Sequence, residues 1–237
     1  MDLQAVPSQL YILDGRRQAT QAAPGILYQT APAGLARSKG QETLMAHLSL
    51  AGPPETTAVL AQDLLDALSD RFFQTPGSVT AALRTAILEV NQLLLRYSVS
   101  GAAAKQEGAI TCAVMRGLEL FTAQAGEATA LLGHNFGVER LPPQQPERLT
   151  PLGRTAGLDL RLYHHHLQAG DTLLLADPGL ARLPAHTLSP ALVDCPVEEG
   201  TERLVKLVGG DSARLLLVEF TDEALEPMPE TAAVARS

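Results

Sequence analysis

The 237-residue chain is 46% hydrophobic, enough for one sizeable domain with a core of its own. A formal charge of −8, a pI near 5.2, 4% aromatic residues and no Trp argue against nucleic-acid binding, which asks for a basic face and stacking platforms. Cys112 and Cys195 stand far apart without C-x-x-C spacing, no run approaches the roughly 18 apolar residues of a membrane span, and "MDLQAVPSQL" lacks the plan of a signal peptide. A soluble, cytoplasmic protein with reduced cysteines is therefore expected.

Three strands are predicted first, over 9–13, 25–30 and 43–50. After Pro53-Pro54 the period changes: Val59, Leu60, Leu64, Leu68 and Phe72 make one stripe of a helix over 55–73. Ser78 is a good N-cap for a second helix, whose stripe is Leu83, Ile87, Val90 and Leu94 and which ends near Gly101. The segments "AITCAVMRG", "LELFTAQAG" and "ATALLGHNFGVERL" follow in hairpin-like succession, broken at Gly117, Gly126 and Gly137. Strands over 160–167, 171–177 and 213–220 and a helix over 197–208 complete the domain. This order is α+β rather than a βαβ alternation. The tail 221–237 is polar, proline-bearing and aperiodic, and reads as a disordered linker or terminus after a domain of residues 1–220.

Few motifs carry chemistry. In "YHHHL" a strand places His164 and His166 on one face and His165 on the other, so at most two can share an ion, and a solvated strand is the expected reading. His47, His134 and His186 stand alone. Cys112 sits in an apolar strand with no base beside it, as a buried structural cysteine does. The chain contains no G-x-S-x-G, no P-loop and no G-x-G-x-x-G opening a helix. In "LLLADPGLARL" (173–183), Asp177 leaves an apolar strand either to hold a metal or, with Pro178-Gly179, simply to turn the chain.

A spaced series of glycine-and-acid motifs remains: "RSKGQE" (37–42), "SLAG" (49–52), "AQAGEATALL" (123–132), "LQAGDTLLLADPGL" (167–180) and "GGDSARLLLVEF" (209–220). Set around a helix pair, the series resembles the PPM or type 2C metal-dependent Ser/Thr protein phosphatases over residues 9 to 220. "AQAGEATALL" is similar to that family's strand with G-D-S-R-A-Y-L, and "LQAGDTLLLADPGL" to its L-x-x-G-D-x-L-L-L-x-S-D-G-L. The resemblance implies two antiparallel sheets packed face to face with helix pairs outside. It also implies a site in which aspartates hold two Mg²⁺ or Mn²⁺ ions around an attacking water and an arginine holds the substrate phosphate.

Carried over by position, Arg37 matches the phosphate-binding arginine, Glu42 an acid of that motif and Asp211 the final acid. The bridging acid falls at Leu50-Ala51 or Ala51-Gly52, which offer no carboxylate, and Pro178 occupies the second Asp-Gly slot, displacing Asp177 by one residue. Two divalent ions need several carboxylates, one of them shared. The resemblance with these losses implies a catalytically inactive domain, a pseudophosphatase. Its partner would be a protein or phosphoprotein in a signalling role, with no cofactor expected and Glu42, Asp177 and Asp211 as vestigial metal positions. A divergent phosphatase using Mg²⁺ or Mn²⁺ is the alternative, and a structural or oligomerising domain a further one.

Overall fold

The computed structural model describes residues 3–18, 23–32, 42–99, 106–141 and 149–222. In chain order the strands and helices are β1 (Gln4–Leu13), β2 (Arg16–Arg17), β3 (Ile26–Thr30), β4 (Glu42–Leu50), α1 (Pro54–Gln74), α2 (Val79–Val99), β5 (Gly108–Arg116) and β6 (Glu119–Ala125). They continue with β7 (Ala130–His134), β8 (Gly137–Leu141), β9 (Arg161–His166), β10 (Thr172–Ala176), α3 (Pro178–Ala181), α4 (Ala185–Leu192), α5 (Val197–Val208) and β11 (Ala213–Thr221). The strands form two antiparallel sheets, one in the order β2-β1-β11-β10-β7-β8 and one in the order β3-β4-β5-β6-β9.

Three apolar layers hold the stack together, and strand alternation assigns side chains to them. In β4, Leu44, Ala46, Leu48 and Leu50 face α1 and α2, while Met45 faces the other sheet. In β10, Leu173 and Leu175 point between the sheets, and Leu174 and Ala176 point to the layer under α3, α4 and α5. In β11, Leu216, Val218 and Phe220 point between the sheets and Ala213, Leu215 and Leu217 outward. Both faces of these strands are buried, so their sequences are continuous apolar runs instead of polar–apolar alternations. The architecture is the α+β sandwich of two sheets flanked by helices that the resemblance implied.

Most predicted elements are found within a residue or two. Ser78 caps α2, its Oγ accepting the Ala81 amide at 3.2 Å. β1 begins five residues before the predicted start because register with β11 extends back to Gln4. The short strand β2 and the helices α3 and α4 are not in the sequence reading. α3 starts at Pro178, in the stretch read as a turn, and α4 contains Pro190, which masks it in a search for helical periodicity. α4 approaches the sheet closely: the Leu192 carbonyl accepts the Thr172 hydroxyl at 2.6 Å, and a Cβ on Gly133 would meet that carbonyl at 2.0 Å. Among the described residues no helix is long and apolar enough to cross a membrane.

Candidate functional site

At one end of the sandwich a cleft of about 320 Å³ opens between the sheets. Its lining includes His47 and Ser49 from β4, Glu127 and Thr129 from the turn between β6 and β7, Pro178 and Arg182. Gly126, with φ of 71°, makes that turn; a Cβ there would lie 2.8 Å from the Gly108 carbonyl, so glycine lets the turn pack onto β5. Arg161 of β9 donates to the Gly126 carbonyl at 2.8 Å and supports the turn from below. Glu127 pairs with Arg182 across the mouth of the cleft, and Arg140 donates to the carbonyls of Ala181 and Leu183, fixing the chain after α3.

Deeper in, Asp177 and Arg214 form the principal polar contact. Continuing the β10 alternation past Leu173 and Leu175, Asp177 points between the sheets; Arg214 does the same on β11 with Leu216 and Val218. The Arg214 amide and Nε donate to Asp177 Oδ2 at 2.8 and 3.1 Å, and Nη2 donates to Oδ1 at 2.6 Å. The same guanidinium donates from Nη1 to the Pro24 carbonyl at 3.1 Å and lies 3.5 Å from the Ser49 hydroxyl. Arg214 thus ties the end of β10 to two segments of the opposite sheet. Buried His47 places Nε2 at 3.4 Å from Asp177 Oδ1. Burial alone would raise the Asp177 pKa, but His47 and Arg214 outweigh it and hold the carboxyl well below the usual range.

The acids named from sequence do not gather here. Glu42 begins β4, five residues before His47, or about 17 Å along an extended strand. It also falls on the strand face shared with Leu44 and Ala46, toward the helices. Asp211 is exposed at the corner before β11, where its carbonyl accepts the Gly15 amide at 3.1 Å. Of the three, Asp177 alone lies next to the cleft, between its lining residues Ala176 and Pro178, and it is the centre of an ion pair with Arg214, not the turn residue that Asp-Pro-Gly suggests. Arg37 lies outside the described residues. Among those residues no three His, Cys, Asp or Glu side chains come together as a metal-ligand set.

A pair of divalent ions does not fit these residues. Several carboxylates would have to converge, whereas among the described residues none joins Asp177, whose two oxygens both accept from the fixed cation of Arg214. The sequence reading missed Arg214 and His47. Their signals were faint: an arginine inside the apolar run "ARLLLVEF" and a histidine inside "LMAHLSL" break patterns that a fully buried strand would keep.

No protein-family model and no curated protein matches the chain. Solved structures do. A bacterial serine phosphatase superposes with TM-score 0.71 at 17% identity, covering 92% of this chain and 99% of that one. The catalytic domain of the Ser/Thr protein phosphatase PstP, in complex with two manganese ions, gives 0.64 at 19%, covering 93% and 99%. PppA of Pseudomonas aeruginosa, described as a key regulatory component of its type VI secretion system, gives 0.65 at 16%, covering 93% and 100%. The chain has the fold of the PPM-type Ser/Thr phosphatases. Beside the cleft, between His47, Ala176 and Pro178 of its lining, lies the Asp177–Arg214 pair.

Proposed function

We propose that the protein is a non-catalytic PPM-fold domain, a pseudophosphatase that binds a protein or phosphorylated segment in a regulatory, signalling role. The observation that carries this reading is the Asp177–Arg214 pair: the carboxylate nearest the expected metal slot is already neutralised by a guanidinium, whose fixed positive charge opposes the approach of divalent ions. The neighbouring fold of PppA, a regulatory component, supports a regulatory role. Ser49 and Thr129 line the cleft with hydroxyls that suit an anionic group, which would compete with Glu127 for Arg182 at the mouth, and Arg37 is the residue the resemblance assigns to phosphate. Glu42, Asp177 and Asp211 are proposed as vestiges of a metal site.

The test is hydrolysis of p-nitrophenyl phosphate and of a phosphoserine peptide with Mn²⁺ or Mg²⁺ in excess. No turnover above the metal-only blank is expected, together with saturable binding of the phosphopeptide. Mn²⁺-dependent hydrolysis abolished by Asp211→Ala, a change at an exposed corner that spares the core, overturns the proposal and establishes a divergent phosphatase.

A further inference from the structure

At the other end of β10, six residues before Asp177, a second cavity of about 220 Å³ lies among His134, Phe136, His165, His166 and Asp171. Asp171 is 1% exposed. Its Oδ2 accepts the Gln168 amide at 2.8 Å, but the buried Oδ1 has no hydrogen-bond partner. A buried carboxylate oxygen left unpaired is costly, and burial pushes the Asp171 carboxyl up, only partly offset by the Gln168 amide and the nearby His165 and His134. Phe136, at the tip of the β7–β8 hairpin, is 92% exposed and stands beside His134 with ring centroids 5.9 Å apart.

The chemistry of this cavity selects its occupant. The histidines do not make it a metal centre: His134 Nδ1 is taken by the Phe136 amide at 3.1 Å, and among the described residues no three ligands gather. A volume of 220 Å³ is below the roughly 300–1,000 Å³ of small-molecule pockets, so one side chain fits better than a whole metabolite. An acceptor at the bottom and an exposed aromatic ring at the rim suit a planar cation that donates hydrogen bonds and stacks, which describes guanidinium better than ammonium. The net charge of −8 favours approach of a basic partner.

We propose that this cavity is a docking site for an arginine side chain of a partner protein, with Asp171 Oδ1 as acceptor and Phe136 as stacking surface. The site lies away from the cleft and stands whether or not the domain is a pseudophosphatase. It is tested by titrating the peptide Ac-Gly-Arg-Gly-NH₂ into ¹⁵N-labelled protein, with citrulline and lysine versions as controls. Saturable shifts are expected at the Phe136, Gln168 and Asp171 amides with Kd on the order of 1 mM. The lysine peptide should bind several-fold more weakly and the citrulline peptide not measurably. Asp171→Asn, which keeps an acceptor for Gln168, and Phe136→Ala should each weaken the arginine peptide about fivefold or more. Should Asp171→Asn lose its native spectrum, Phe136→Ala at an exposed tip still decides. Absence of saturable shifts, equal binding of arginine and citrulline peptides, or undiminished affinity in both variants overturns the proposal.

Discussion

Replacing Asp177 with alanine strands the Arg214 charge between the sheets. The Arg214 side chain is 7% exposed and that of Asp177 21%, so solvent takes over the lost partner only in part. Three donors, the Arg214 amide, Nε and Nη2, lose their carboxylate acceptor, while the bond from Nη1 to the Pro24 carbonyl remains. Breaking one side of a buried pair costs about 3–5 kcal/mol. For a domain of this size each kcal/mol moves Tm by roughly 2–4 °C, so a fall of about 6–20 °C is expected in thermal unfolding followed by far-UV circular dichroism at neutral pH. Arg214→Met should act in the same direction, because it leaves a half-buried carboxylate without its guanidinium. The double variant Asp177→Leu/Arg214→Met removes both charges and should recover most of the loss, since apolar replacement of a whole buried pair is often neutral. Single variants that lower Tm by less than about 3 °C, or a double variant as unstable as the sum of the singles, refute the reasoning.

The same pair sets an acid limit. The folded pKa of Asp177 is held below its unfolded value of about 3.9, so its contribution is complete above that value and is lost as pH falls from about 4 toward the folded pKa. Acid unfolding below about pH 4 should therefore be steeper in the wild type than in Asp177→Leu/Arg214→Met. Gly133→Ala places a Cβ 2.0 Å from the Leu192 carbonyl and should destabilise by about 1–3 kcal/mol as α4 is pushed off the sheet, measured by urea denaturation. Cys112 is fully buried and burial pushes its thiol well above the ordinary range, so iodoacetamide should modify it in urea but not in the native protein.

The layers of this fold are readable in its sequence because hydrophobic period and burial go together. The stripe through Leu64, Leu68 and Phe72, and the apolar run 173–176, are each consequences of which faces meet a core. α4 escapes the same reading, since eight residues with an internal proline give too little period to detect. The site is harder still. Asp177 and Arg214 meet only because β10 and β11 lie side by side, paired from Thr172 with Glu219 to Ala176 with Leu215, and His47 joins them from the facing sheet. No local spacing records those juxtapositions. The strand alternation of Asp177 was available, and it points between the sheets; the turn chemistry of Pro178-Gly179 obscured it, although that proline opens a helix.

The Asp177–Arg214 brace has a consequence for when and where this domain can be assembled. A bound ion must be acquired after synthesis, can be stripped by a chelator, and depends on supply. A guanidinium is made with the polypeptide and brings its positive charge with it. The positive charge that joins Asp177, Pro24 and Ser49 across the two sheets is therefore present from the moment the strands meet, whatever salts surround the protein.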